Sequence, residues 1–402
     1  MTAKKFDIKM FLGKNIVPII FLVISAIMAP LSGYSGGHIV QEVVTRLGRD
    51  AFLVLSLLLP LIAGMGINFG LALGACAGQI ALILVTEWQI AGAPGMFLAM
   101  LISVPISVLF GFFGGYLLNN ARGREMITSY VLGFFMVGVY QIIVLFGMGK
   151  VIPINNETIL LSRGFGIRNT IELGGIKDSF DFLIDRLVGF PIQIAGTNIP
   201  VFSIFLVAVL CFLTWWFRRT KLGQEVRAVG QDMGVSAASG INVNITRIIS
   251  MIISTVLAGF GQLIWLQNIG VMTVYTGANS VALYAAAALL IGGATASKAG
   301  IPRVIVGTGL FHLLFIVMPL AGVTIFGAAA IAEYFRVFIS YSVIAVALVI
   351  NAWNARKEKE QNLFGNRKRA GGGNGADAPN YSDGADDRDG ADDRDDADAA
   401  AQ

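Results

Sequence analysis

The sequence predicts an all-α fold: a polytopic transmembrane helical bundle of about ten spans. Three observations predict it. Hydrophobic residues make up 55% of the 402 residues and charged residues only 13%, whereas a soluble domain carries about 25% charge. The mean hydropathy is +0.73. Apolar stretches recur along the chain at lengths near the roughly 20 residues a helix needs to cross ~30 Å of hydrocarbon. A soluble chain of this composition would expose more apolar surface than its polar residues can cover. Lipid accepts that surface, provided the backbone satisfies its own hydrogen bonds, as a helix does.

The stretches lie at about 15–33, 51–72, 76–93, 95–118, 126–148, 198–217, 248–269, 279–297, 302–320 and 329–351. The first follows Lys4, Lys5, Lys9 and Lys14, as a signal peptide's apolar core would. It is longer than such a core and further spans follow it, so it reads as an uncleaved helix. The third comes directly after Gly70-Leu71-Ala72-Leu73-Gly74, which leaves a broken or re-entrant helix open there. Irregular backbone is tolerated at depth only where protein or a water-filled cavity satisfies it. Segments two to five and seven to ten have similar spacing and opposite orientation, a hint of an inverted repeat.

Charge sets the orientation. With the N-terminus in the cytoplasm, ten crossings bring 19 Lys and Arg to that side before the tail. They include Arg122, Arg124, Arg218, Arg219, Lys221, Arg227, Arg247, Lys298 and Arg303. The other side holds Arg46, Arg49 and five more in the long segment starting near Lys150. This is the positive-inside pattern.

The expected organisation is therefore a cytoplasmic N-terminus at 1–14, a transmembrane domain at 15–351 and a cytoplasmic tail at 352–402. An external loop spans about 149–200, with Ile184-Asp185-Arg186-Leu187-Val188 as a short helix, and a cytoplasmic loop spans about 218–247. From Ala370 the tail holds ten Asp and two Arg. From about residue 371 it is acidic and low in complexity, a composition that cannot offset the entropy of ordering and predicts disorder.

Several function classes lack their residues. The chain has no P-loop and no His-Glu-x-x-His motif. Gly33-Tyr34-Ser35-Gly36-Gly37 matches the letters of a nucleophile elbow but leaves an apolar helix, not a strand. Cys76 and Cys211 sit in apolar runs and read as packing residues. His38 falls outside the spans, and His312 falls in the ninth, where packing against a carbonyl is the simpler reading. The span carboxylates Glu87, Glu125 and Glu333 lie near span ends, Glu333 with Arg336 one turn on. A mid-membrane carboxylate is the usual motor of an ion-coupled carrier. Without one, energy for active transport must come from another subunit.

The cytoplasmic loop is the most informative segment. Its sequence predicts a short amphipathic helix from about Gly223 to Val229, a turn at Gly230 and a small-residue helix from about Met233 to Ala238, closed by Gly240. The run from Gly223 through Arg227-Ala228-Val229-Gly230 to Ala237-Ala238 and Gly240-Ile241-Asn242, followed by Leu257-Ala258-Gly259-Phe260-Gly261, resembles ABC importer permeases for branched-chain amino acids, simple sugars and nucleosides. Gly66-Ile67-Asn68-Phe69-Gly70 through Gln79, and the segment from Leu290 to Arg303 with its Gly292-Gly293 pair, resemble further motifs of that family. Glu125-Met126-Ile127-Thr128-Ser129-Tyr130-Val131-Leu132 echoes a segment of its nucleoside-type members.

The resemblance covers roughly residues 50–350. It implies a type II-like permease fold in a bacterial inner membrane, a cytoplasmic ABC ATPase, a second permease, identical or related, and an external substrate-binding protein. It places Gly223, Arg227, Gly230, Ala237, Ala238 and Gly240 in or beside the coupling helix that docks on the ATPase. No metal, no nucleic-acid partner and no cofactor is expected, ATP being used by the partner subunit.

Polar side chains within spans are costly unless they face a partner or a cavity. Those that qualify to line a path are Asn68, Gln79, Tyr140, Gln141, Gln262, Trp265, Gln267 and Asn268. Interhelical hydrogen bonding is the competing reading for each. As a set they suit a neutral polar solute, because amides exchange hydrogen bonds with hydroxyls and amides, and an aromatic ring stacks on a sugar or base. A secondary carrier or channel working without ATP is the alternative class; an intramembrane enzyme is a more distant one.

Overall fold

The structure is a computed structural model that describes residues 15–162, 165–188, 193–194, 197–198, 200–294 and 299–328, with scattered positions from 330 to 349. The N-terminal lysines, Thr295–Lys298, the Glu333–Arg336 pair and the acidic tail lie outside the described residues.

Helices dominate. In chain order they are α1 (Ile16–Leu31), α2 (Gly36–Ser56), α3 (Leu58–Ile62), α4 (Leu71–Glu87), α5 (Gly92–Asn120), α6 (Glu125–Ile142), α7 (Leu183–Val188), α8 (Val201–Phe217), α9 (Lys221–Gln231), α10 (Met233–Ala238), α11 (Val243–Ile269), α12 (Gly277–Ile291) and α13 (Ile301–Phe326). A π-turn, Ile143–Gly147, extends α6. Among the described residues, four helices are individually long and apolar enough to cross a membrane: Gly92–Asn120, Glu125–Gly147, Val243–Ile269 and Ile301–Ile325. The pair α8 and α9, bent by 76°, makes a fifth if taken as one span. α1, α4 and α12 are shorter apolar helices. The chain is an all-α polytopic membrane protein.

Lipid gives apolar helices no hydrophobic reason to associate, so close backbone packing has to hold them. The sequence supplies small residues for this at α11. A Cβ built on Gly74 of α4 would lie 2.3 Å from Thr255 O, and one on Gly78 would lie 2.8 Å from Gly259 O. On α5, a Cβ at Gly111 would lie 2.8 Å from Ile252 Cα, and one at Gly115 would lie 3.0 Å from Ile248 Cα. Both glycine pairs are spaced i, i+4, so each lines one helix face. α11 is thus gripped from two sides, and its residues Ser250, Met251, Ser254, Ala258 and Gln262 are buried.

The expected second span differs from the structure. Its first part belongs to α2, which begins at Gly36, so Arg46, Arg49 and Asp50 lie in a helix and not in an external loop. Their charges are paired: Glu42 with Arg46 at 3.3 Å and Arg49 with Asp50 at 3.0 Å. A hydropathy window reads such charges as the end of a span, because it does not see that they neutralise one another. The span then breaks between Ile62 and Leu71, several residues before the break that the glycine spacing suggested. Gly64 (φ +76°) and Gly66 (φ +70°) turn the chain there, in a conformation that glycine adopts without steric cost. This irregular backbone is satisfied by protein, as depth requires. Met65 N donates to Pro60 O, Phe69 N to Ser129 Oγ and Gly70 N to Asn68 Oδ1.

The long segment after Met148 is held against the bundle as a cap. Strand β1 (Thr170–Glu172) pairs antiparallel with β4 (Val271–Thr273), between α11 and α12, with Ile171 opposite Met272. A second small hairpin joins β2 (Gln193–Ile194) and β3 (Thr197–Asn198). The Glu87 carboxylate, at the end of α4, accepts from Asn155 N at 2.7 Å and Asn156 N at 3.1 Å. The short helix expected near Ile184 is α7.

Candidate functional site

Two places bring the predicted residues together. At one end of the bundle, α9 and α10 form a helical hairpin. Thr220 starts α9 by accepting from Gly223 N at 3.2 Å. The face of α9 carrying Gly223, Val226 and Gly230 then packs inward. A Cβ on Gly223 would lie 2.0 Å from Phe217 O, and one on Gly230 would lie 1.8 Å from Ile62 O. Both glycines are thus contact points with the bundle itself. Arg227 and Gln224 are exposed.

The turn expected at Gly230 falls instead at Asp232, and Gly230 stays inside the helix. Asp232 is the better break because its carboxylate accepts from Val235 N at 2.9 Å and starts α10. Along α10, Val235 is 64% exposed, and Ala237 and Ala238 are exposed beside it. Gly240 (φ +83°) reverses the chain, and Asn242 starts α11 by accepting from Ile245 N at 3.2 Å. The hairpin therefore presents Arg227, Val235, Ala237 and Ala238 outward on a base fixed by Gly223 and Gly230.

The second place is the inner face of α4. Cys76, Gly78 and Gln79 face three different elements. Tyr140 of α6 lies beside Cys76 and Tyr275. Gln262 of α11 sits against Gly78, whose added Cβ would lie 3.4 Å from Gln262 Cβ. Gln79 Nε2 reaches Thr273 O at 3.5 Å, a weak bond at that length. Gln141 Nε2 donates to Tyr275 O at 2.7 Å. Four of the eight path candidates thus converge on α4 and on the turn from Thr273 to Gly277. Among the described residues, Gln79 Oε1, Tyr140 Oη and both amide atoms of Gln262 are buried without a hydrogen-bond partner. Buried polar groups are rarely left so in a native fold. Between α4, α6 and α12 a groove opens, lined by Phe69, Tyr130, Phe134 and Asn279. Tyr130 meets Phe69 and Phe134 edge to face, with ring centroids at 5.4 and 4.7 Å.

The other candidates are engaged elsewhere. Asn68 accepts from Gly70 N and turns its amide nitrogen to Met251 Sδ at 3.0 Å, serving the break before α4. Gln267 Nε2 donates to Asp181 Oδ1 at 2.7 Å, and Asn268 Nδ2 donates to Asp181 Oδ2. Both fasten the cap to the end of α11. Trp265 lines a small cavity with Asp50, Tyr284 and His312.

A family described as the permease component of branched-chain amino acid transport systems matches residues 39–349, most of the chain. The chain belongs to this family. Among individual proteins, it is similar to the nucleoside ABC transporter permease protein NupB of Lactococcus lactis, 24% identical over 275 residues, or 65% of this chain and 69% of that protein. It is similar to the D-allose transport system permease protein AlsC of Escherichia coli, 24% identical over 315 residues, or 76% and 83%. It is also similar to the xylose transport system permease protein XylH of Haemophilus influenzae, 29% identical over 195 residues, or 48% and 46%. No solved structure matches the chain. The protein is the permease subunit of an ABC importer, and ATP hydrolysis lies in a partner subunit.

The permease also holds a polar network that the sequence reading missed. His312 Nε2 of α13 lies 3.0 Å from Asp50 Oδ2, and Arg49 Nη1 donates to Asn268 Oδ1 at 3.2 Å. Ser203 donates to Asp181, which is 3% exposed. The chain Asp50, Arg49, Asn268, Asp181 thus runs from the helix core into the cap. They come from three distant parts of the chain, and Arg49, Asp50 and Asp181 all fell outside the expected spans, so no local signal joined them. The presence of a histidine in an apolar span was the one available hint.

Proposed function

We propose that this permease imports a small neutral polar solute, a simple sugar or nucleoside in preference to an amino acid, by alternating access. The observation that carries this reading is the group of buried polar atoms on Gln79, Tyr140 and Gln262 that have no partner among the described residues. Uncharged hydroxyl and amide groups match a solute rich in hydroxyls, and the residues named there carry no formal charge to hold a phosphate or carboxylate. The rings of Phe69, Tyr130 and Phe134 offer a face for an apolar sugar or base surface. The relatives named for nucleosides, allose and xylose support the same classes.

In this reading the α9–α10 hairpin is the handle gripped by the cytoplasmic ABC ATPase, with Arg227, Ala237 and Ala238 at the contact and Gly223, Gly230 and Gly240 shaping it. A second permease, identical or related, completes the path, and an external binding protein delivers solute. The N-terminus, the tail and the hairpin lie in the cytoplasm of a bacterial cell, and the cap faces outward. The permease itself uses no cofactor.

Reconstitution of permease, ATPase and binding protein in vesicles tests the proposal. Uptake of labelled xylose, allose or a nucleoside is expected only with ATP on the hairpin side. Uptake of a branched-chain amino acid alone would overturn the substrate class, and uptake without ATP would overturn the mechanism.

A further inference from the structure

The first turn of α11 gathers three elements at the hairpin end of the bundle. Asn119 Nδ2, one residue before the end of α5, donates to Asn244 O at 2.9 Å. Arg122, in the loop between α5 and α6, donates to Asn244 Oδ1. Three residues on, Arg247 is fully buried, and its guanidinium reaches two ways. Nη2 donates to Glu125 Oε1 at 2.6 Å; Glu125 is the first residue of α6 and only 8% exposed. Nη1 lies 3.8 Å from Met233 Sδ, the first residue of α10.

α6 is the helix that carries Tyr140 and Gln141, about 22 Å along its axis from Glu125 at the usual helical rise. A hydrogen-bonded helix is stiff over that length, so displacing its first residue displaces the rest. Apolar contacts between helices can slide. A guanidinium–carboxylate pair cannot slide without leaving a buried charge unpaired, which is strongly disfavoured. The pair therefore fixes the distance between α11 and α6 more firmly than packing does, and it does so where the hairpin touches down.

We propose that Arg247 is a positioning residue for transport: it ties α10 to α6 through Glu125, so that movement of the hairpin is delivered to the helix bearing Tyr140 and Gln141. This rests on the reading of α9–α10 as the ATPase's handle.

The test uses the permease purified with its ATPase in lipid nanodiscs, with Cys76 and Cys211 replaced by Ala. Pairs of spin labels are placed by Val235→Cys on α10, Ile127→Cys on α6 and Val306→Cys on α13, all exposed positions. Pulsed EPR distances are compared without nucleotide and with ATP and vanadate. The 235–306 distance is expected to shift by ~2 Å or more, the scale of helix shifts in switching proteins. The 127–306 distance should shift with it, and 235–127 should stay constant. In the Glu125→Met/Arg247→Met variant neither charge is left unpaired. There the 235–306 shift should persist while the 127–306 shift at least halves. A 235–127 distance that changes with nucleotide in the unaltered pair overturns the inference, whether or not the double variant assembles. A double variant in which α6 still follows the hairpin overturns it too. A 235–306 distance insensitive to nucleotide would overturn the handle reading itself.

Discussion

His312 of α13 and Asp50 of α2 meet inside the bundle, with Nε2 and Oδ2 3.0 Å apart and side chains only 7% and 13% exposed. Arg49 shares the same carboxylate at 3.0 Å. Asp50→Ala would strip Arg49 and His312 of their common partner. Removing one member of a buried pair destabilises by about 3–5 kcal/mol, so a marked fall in the thermal unfolding midpoint in detergent is expected. Asp50→Asn keeps an acceptor and should lose less. Equal midpoints for wild type and Asp50→Ala would show that the network does not hold α2 to α13.

Gly230 packs against the bundle and Arg227 is exposed, so the two should fail differently. Gly230→Val forces a side chain onto Ile62 O, where even a Cβ would stand 1.8 Å away. Overpacking of this kind costs about 1–3 kcal/mol, and the hairpin should lose its seat while the protein still inserts. Arg227→Ala removes an exposed side chain and should leave the unfolding midpoint within about 0.5 kcal/mol of wild type. Both should weaken co-purification of the ATPase. Full ATPase binding by both variants would remove the hairpin from the docking surface.

A pair of glycines separates close packing from helix propensity. Gly74→Ala places a Cβ 2.3 Å from Thr255 O, whereas an added Cβ on Gly138 of α6 meets nothing within 4 Å among the described residues. Gly138→Ala should stabilise by about 0.5–1 kcal/mol, the gain from replacing glycine within a helix. Gly74→Ala should destabilise, with α11 pushed off α4. Thermal unfolding of the two variants side by side decides it; equal effects would mean that the α4–α11 crossing is looser than its geometry implies.

Tyr140→Phe deletes a buried hydroxyl that bonds to nothing else in the described residues. Stability should hold or rise, because an unsatisfied buried group is lost. Transport should weaken if that hydroxyl meets solute. A single hydrogen bond is worth about 0.5–1.5 kcal/mol, or roughly a 2- to 12-fold loss in kcat/KM for uptake. An unchanged kcat/KM across sugars and nucleosides would remove Tyr140 from the path.

Composition together with the recurrence of apolar stretches near 20 residues determined that this chain is a helical membrane protein, since 13% charge among 55% apolar residues leaves no soluble solution. The motif from Gly223 to Asn242 predicted two short helices, but it placed the turn at Gly230, whereas the structure places it at Asp232, whose carboxylate caps α10. Only the tertiary structure decided which polar residues are spent on the fold and which are not. Gln267 and Asn268 look like Gln79 and Gln262 in sequence, yet Asp181, more than eighty residues earlier, satisfies the first two. Asp50 and Arg49 read as loop until α13 supplied His312 and α11 supplied Asn268. A charge's fate inside a bilayer depends on its partner across the bundle, and that partner is set by how helices pack, not by the residues beside it in the chain.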